Sequence, residues 1–201
     1  MSVQLVLATR NAKKLAELDR LLVGAGLDVQ ILGSDAFSEL PEIEETGSTF
    51  AENSLIKARA VSTHTGLIAI ADDSGLCVDA LDGQPGIYSA RWAGQGATDE
   101  SNLALVLEQI RDIEPARRTA HFACAAALVL PSGEEYVVHG QVNGVLLTQR
   151  RGEGGFGYDP IFLPDGFDIT TAEMASEQKD AISHRGQAMR ALVPVIQEHV
   201  H

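Results

Sequence analysis

The feature that most constrains this chain is the stretch Leu67-Ile68-Ala69-Ile70-Ala71-Asp72-Asp73-Ser74-Gly75. Five apolar residues, two of them β-branched, run straight into two aspartates, a serine and a glycine. A short apolar run closed by turn formers reads as a buried strand. In an α/β sheet, ligands sit beyond the carboxyl ends of such strands. Adjacent carboxylates there repel each other, so one takes up a proton or a cation neutralises the pair. Hard oxygen ligands beside a polar loop suit Mg²⁺. A plain surface turn is the competing reading, because Asp, Ser and Gly are ordinary turn formers.

The N-terminal segment repeats the theme. Val3–Leu7 reads as a strand, Thr9-Arg10-Asn11-Ala12-Lys13-Lys14 as a polar turn, and Leu15, Leu18, Leu21 and Leu22 as the inner face of a helix. Gly24 and Gly26 stop that helix. Strand, short turn and helix together aim backbone N–H groups at an anion, with Thr9 and Asn11 as side-chain donors and Lys14 as a charge. An N-capped helix carrying solvated lysines fits the same residues. The segment is not a P-loop, since the paired glycines and the Gly-Lys-Ser/Thr ending are missing. Val29–Leu32 reads as a second strand, followed by a loop with Glu42, Glu44 and Glu45. Thr49-Phe50-Ala51-Glu52 has capping-box spacing and predicts a helix over 50–63. Glu45 thus falls just ahead of a helix start, as a site residue or as part of a solvated acidic loop. Lys57, on that helix, points inward or to water.

Beyond Gly75, a strand is expected over 76–81, then turns at Asp82-Gly83 and Gln84-Pro85-Gly86. Thr98 caps a helix whose inner face is Leu103, Val106, Leu107 and Ile110. Two long β-like runs, 119–130 and 135–142, flank Pro131-Ser132-Gly133 and read as a hairpin, which Val145–Thr148 extends. Gly152-Glu153-Gly154-Gly155-Phe156-Gly157-Tyr158-Asp159-Pro160 places four glycines in six residues around Phe156. Glycines let backbone approach a ligand closely, and an aromatic held on such a loop stacks on a planar base. A flexible linker would be richer in Ser and would not run into the apolar Ile161-Phe162-Leu163. Near the C-terminus come Lys179 and Ser183-His184-Arg185, with Ser183 capping a last helix that reaches about Val200 and that Pro194 kinks. His and Arg at a helix start oppose the macrodipole, so a local anion or a simple surface cap accounts for them.

A formal charge of −13 argues against general nucleic-acid binding, which needs a basic face. It leaves room for a small anionic substrate held by a local cluster of the 15 Lys and Arg. No apolar run approaches the ~20 residues that span a bilayer, and Met1-Ser2-Val3-Gln4 lacks a basic leader. A cytoplasmic protein is expected, with Cys77 and Cys124 as buried thiols. The alternation of strands and helices, without repeat or linker, predicts one α/β domain over 1–201 with a mixed sheet and helices on its faces.

Six segments, in this order, closely resemble the inosine/xanthosine triphosphate pyrophosphatase family: Thr9-x-Asn11-x-x-Lys14, Glu44-Glu45-Thr46-Gly47, Ala71-Asp72-Asp73-Ser74-Gly75-Leu76, Gly83-x-Pro85-Gly86-Ile87-Tyr88-Ser89-Ala90-Arg91, Gly154-Gly155-Phe156-Gly157-Tyr158-Asp159-Pro160-Ile161-Phe162 and Ser183-His184-Arg185-Gly186. Arg10 departs from the pattern, since many members have Gly there; either the turn needs no positive φ or Arg10 adds a phosphate contact. The resemblance implies an elongated mixed central sheet flanked by helices, two lobes around an active-site cleft, and a homodimer. It implies Mg²⁺-dependent hydrolysis of the purine nucleoside triphosphates ITP, dITP and XTP to the monophosphate and pyrophosphate. It further implies Glu45 and Asp73 as metal ligands, Asp73 as the catalytic base, and Asp72 as the weaker candidate for either role. Thr9, Asn11 and Lys14 would hold the triphosphate tail, with Arg10, Lys13 and Ser74 as further substrate-binding residues. Phe156 would stack on the purine amid Gly157, Tyr158 and Asp159, and Lys179, His184 and Arg185 would approach base or phosphates. Two other readings remain open: a Maf-like pyrophosphatase for modified pyrimidine nucleotides, and a nucleotide sensor without turnover.

Overall fold

The structure is a computed structural model that describes residues 3–37 and 39–200; Met1, Ser2 and the side chain of Lys13 lie outside the described part. The strands are β1 (Val3–Leu7), β2 (Val29–Gly33), β3 (Ile68–Val78), β4 (Thr119–Val129), β5 (Glu135–Leu146) and β6 (Phe162–Pro164). The helices are α1 (Ala12–Gly24), α2 (Phe50–Thr65), α3 (Asp99–Gln109), α4 (Ser176–Ile182) and α5 (His184–His199). The strands form a sheet in the order β2-β1-β3-β4-β5-β6. β1 runs parallel to β2 and β3, while β5 and β6 are antiparallel, so the sheet is mixed as expected.

The chain divides into two compact units, one of Met1–Asp73, Cys124–Gly140 and Gln187–His201, the other of Ser74–Ala123 and Gln141–Gly186. In the first, strand alternation sends Leu5, Leu7 and Ile70 to one face, where they pack with Leu18 and Leu22 of α1 and with Ala188, Met189, Leu192 and Ile196 of α5. The intervening Val6 and Ala69 face Val61 of α2, and Ala71 packs with Ala58 of the same helix. Leu18 and Leu22 are fully buried, each stabilising the fold by about 1.5–3 kcal/mol. The second unit closes around Leu76, Val78, Leu103, Val106, Ile110, Tyr158, Ile161 and Phe162.

The capping signals act as the sequence predicts. Thr49 accepts from the Glu52 N–H and Thr98 from the Ser101 N–H. Glu52 reaches back to the hydroxyl and amide of Ser48, and those bonds first of all hold its carboxyl below the usual range. Gly66 ends α2 in the left-handed region, with φ 68°. The hairpin turn is closed by Leu130 N–H to Glu134 O and Gly133 N–H to Leu130 O, both 2.9 Å. The Ser183 hydroxyl accepts from the Gly186 N–H at the start of α5, and Pro194 lies inside that helix. Cys77 and Cys124 are buried, and neither forms a disulfide.

The structure differs from the sequence reading in four places. Asp72-Asp73-Ser74-Gly75 is not a turn after a strand: β3 runs unbroken from Ile68 to Val78, and 79–81 is a 3-10 turn rather than strand. The extended path lies in the sheet between β1 and β4, and Gly75 lets another segment approach it, since a Cβ there would overlap the Gly86 carbonyl and the Ser89 hydroxyl. The last strand starts at Phe162, since 159–161 is a 3-10 turn around Pro160. A short helix, α4, precedes the expected final one and carries Lys179. Among the described residues no helix is long and apolar enough to cross a membrane.

Candidate active site

Alternation along β3 decides what the paired aspartates do. Consecutive strand residues project to opposite faces, so Asp72 shares the α1 face with Ile70, while Asp73 shares the α2 face with Ala69 and Ala71. Each face supplies its own lysine. Lys14 of α1 donates to Asp72 Oδ2 at 2.8 Å, and the Asp72 side chain is 3% exposed. Lys57 of α2 donates to Glu45 Oε1 and to the Asp72 carbonyl, both at 2.7 Å, and lies 3.9 Å from Asp73 Oδ1. The two carboxylates are therefore turned to two different lysines.

Asn53, one helical turn before Lys57, completes the cluster. Its side chain is buried, accepts from the Gly47 N–H at 2.8 Å and donates to Asp73 Oδ2 at 3.0 Å. It ties the Glu45-bearing loop to the strand that carries Asp73. Sequence reasoning missed Asn53 and left Lys57 undecided. The available signal was their i, i+4 spacing, which puts two polar side chains on one face of a helix that also buries Ala58 and Val61. Glu45 is half-buried and Glu44 exposed, so the inward member of that pair is Glu45.

Two carboxylates and a carbonyl thus converge on one ammonium. Among the described residues no three His, Cys, Asp or Glu side chains form a closed metal cage. Mg²⁺ does not require one: it is commonly held by one or two carboxylates, waters and substrate phosphates. An all-oxygen set already gathered around a cation fits that ion.

The turn after β1 has its own geometry. Thr9 Oγ1 accepts from the Asn11 N–H at 3.2 Å, and Arg10 and Asn11 are exposed. Among the described residues Asp82 is the one non-glycine with positive φ. Arg10 therefore occupies its turn without left-handed backbone, which answers the question its departure from the family pattern raised.

In the second unit, Phe156 stands 76% exposed on the glycine-rich loop. Beneath it Asp159 is buried, and its carboxylate accepts from the Phe156 N–H (2.8 Å), Thr171 Oγ1 (2.8 Å) and Lys179 Nζ (2.5 Å). Lys179 Nζ also sits 4.8 Å from the centre of the Phe156 ring. The next amide, Gly157, donates to Asp99 Oδ2 at 3.0 Å. Tyr158 is buried and its hydroxyl donates to the Ser89 carbonyl at 2.8 Å. Burial, and then the nearby Asp99 charge, push that phenol well above its ordinary pKa, so it stays a neutral donor. Ser89 in turn accepts from the Leu76 N–H of β3 at 2.9 Å. His184 stacks on Phe122, with ring centres 5.0 Å apart and planes 11° apart. Arg185 is buried at 9% exposure.

Known proteins are similar to this chain over nearly its full length. A protein of Streptomyces coelicolor named dITP/XTP pyrophosphatase is 58% identical over 195 residues, covering 97% of this chain and 98% of that protein. The crystal structure of a nucleoside-triphosphatase / dITP/XTP pyrophosphatase from Mycobacterium abscessus is 49% identical, covers 96% of this chain and 100% of its own, and superposes with a TM-score of 0.83. A HAM1 protein from Coxiella burnetii, 43% identical over 98% of this chain and 99% of its own, superposes with a TM-score of 0.91. The profile of the Ham1 family matches residues 5–195. With nearly every residue inside that match, the chain belongs to the Ham1 family.

Proposed function

We propose that this protein hydrolyses deaminated purine nucleoside triphosphates (ITP, dITP and XTP) to the monophosphate and pyrophosphate, with Mg²⁺. The observation that carries the reading is the oxygen set of Glu45, the Asp72 carbonyl and Asp73 around Lys57, in a chain 58% identical to a protein named dITP/XTP pyrophosphatase. Asp73 takes the proton from the attacking water, whose oxygen bonds to the α-phosphorus. The bond from that phosphorus to the bridging oxygen breaks, and pyrophosphate leaves with the electron pair. Glu45 and Asp73 would hold Mg²⁺, which when bound supplies positive charge against the phosphate oxygens. Thr9, Arg10, Asn11, Lys13, Lys14 and Ser74 bind the phosphate side, and Phe156 stacks on the base.

Selection against ATP is a donor–acceptor problem. Hypoxanthine and xanthine offer a 6-oxo acceptor where adenine offers an amino donor. A donor such as Arg185 or a loop N–H facing that position is left unpaired by adenine, and unpaired buried groups discriminate strongly. The enzyme acts in the cytoplasm as a homodimer, the state implied by its likeness to this pyrophosphatase class. Pyrophosphate release across a panel of purine and pyrimidine triphosphates, with and without Mg²⁺, tests the reading. Turnover confined to ITP, dITP and XTP and lost on chelation is expected. Preference for a pyrimidine, or binding without product, would overturn it.

A further inference from the structure

We propose that Asp159 is a positioning residue that acts through Phe156, fixing the stacking ring in place without touching the nucleotide; this rests on the base-stacking role proposed for Phe156. Phe156 presents an exposed ring on a segment with left-handed glycines on both sides, Gly155 (φ 75°) and Gly157 (φ 59°). A loop of that composition is mobile unless something holds it, and a mobile ring loses stacking energy to the entropy of ordering on each binding event. Asp159 supplies the hold. Its carboxylate is 4% exposed and so withdrawn from solvent. One oxygen takes the Phe156 amide and the Lys179 ammonium, the other takes the Thr171 hydroxyl. Those donors account for the carboxylate's direction, leaving it aimed into the protein.

The packing around it is specific. A Cβ at Gly155 would overlap the Asp159 carboxylate, so the glycine exists there to let the loop close down on the acid. Lys179 is drawn to the same oxygen and so comes to rest against the Phe156 ring, within cation–π range. Ring, amide and ammonium are thus organised by one buried acid.

The test is a double-mutant cycle on ITP hydrolysis with the intact protein and saturating Mg²⁺. Phe156→Ala should lower kcat/KM about 5- to 150-fold, mainly through KM. Asp159→Ala should give a KM-dominated loss of similar size, and the double variant should be no more than about threefold worse than Phe156→Ala alone. Effects that multiply would show that Asp159 acts on the substrate directly or by another route, and would overturn the proposal. Because Asp159→Ala risks misfolding, Asp159→Asn is read in parallel by ¹⁹F NMR of 4-fluorophenylalanine at position 156, alongside thermal unfolding. A broadened or split resonance at unchanged Tm is expected; a sharp resonance identical to that of the parent protein would overturn the proposal. If Phe156→Ala leaves ITP hydrolysis unchanged, the stacking role fails, while the fluorine spectrum still decides whether Asp159 orders the ring.

Discussion

The cluster around Lys57 and the loop around Phe156 solve opposite problems. At Lys57 the sequence gathers charge: Glu45, Asp72 and Asp73 meet two lysines, and Asn53 holds the strand to the loop. At Phe156 charge is put underneath, with Asp159 and Asp99 gripping two consecutive amides so that an apolar ring can face outward. The first arrangement suits a polyanion and a metal; the second suits a flat, neutral base. The difference teaches that acidic residues of one chain are turned to lysines in one place and to backbone amides in another.

The sharpest way to break the comparison is Asp73→Asn. Loss of the base should lower kcat about 10²- to 10⁴-fold, with Tm and ITP binding little changed; near-parental kcat in a pyrophosphate-release assay would remove Asp73 from the role. Glu45→Gln should raise the half-saturating Mg²⁺ concentration on the order of 10- to 100-fold. An unchanged magnesium titration would shift the ligand role to Glu44 or Asp72. Arg185→Ala, if it removes a charged donor to the 6-oxo group, should cost ITP about 1.5–3 kcal/mol in kcat/KM and narrow the ITP-to-ATP ratio. Phe156→Ala should cost about 1–3 kcal/mol for ITP and XTP alike and leave that ratio nearly constant, since stacking is blind to base edges. Should the two variants exchange their effects on the ratio, Arg185 belongs with the phosphate ligands.

The smallest effect is expected outside both regions. Arg59 donates to both oxygens of Glu135, 2.6 and 2.7 Å away, and holds that carboxyl below its usual pKa. The lowered folded-state value means the stabilisation is present above the unfolded pKa and fades as pH falls through the folded one. The pair is largely solvent-exposed, so Arg59→Met should cost at most about 1 kcal/mol at neutral pH and nothing in strong acid. Urea midpoints measured across that range check it.

The sequence made the local devices legible, because their physics is local. Thr49 and Thr98 announce helix starts by side-chain chemistry alone, and Pro131-Ser132-Gly133 announces a hairpin by backbone preference. The glycines around Phe156 mark a loop built for close approach. The unbroken course of β3 was not legible, because Asp-Asp-Ser-Gly is turn-like by composition. Its place in the sheet between β1 and β4 keeps it extended, and Gly75 fits closely against Gly86 and Ser89, eleven and fourteen residues on. Asn53 looks like any polar helix residue until the fold brings Gly47 and Asp73 to either end of its amide. α4 has no side-chain cap at Ala175 and buries none of its residues, so it leaves no periodic signature.

The continuous strand through Asp72 and Asp73 also sets what kinds of change the gene can tolerate. Because the two carboxylates are told apart by parity alone, losing or gaining one residue within 68–71 while the downstream pairing holds would exchange the two faces for everything upstream. Losing or gaining one residue at position 74 while the downstream pairing holds would instead swap which aspartate meets α1 and which meets α2. Length in this segment is therefore constrained as tightly as the identity of Asp73 and Gly75.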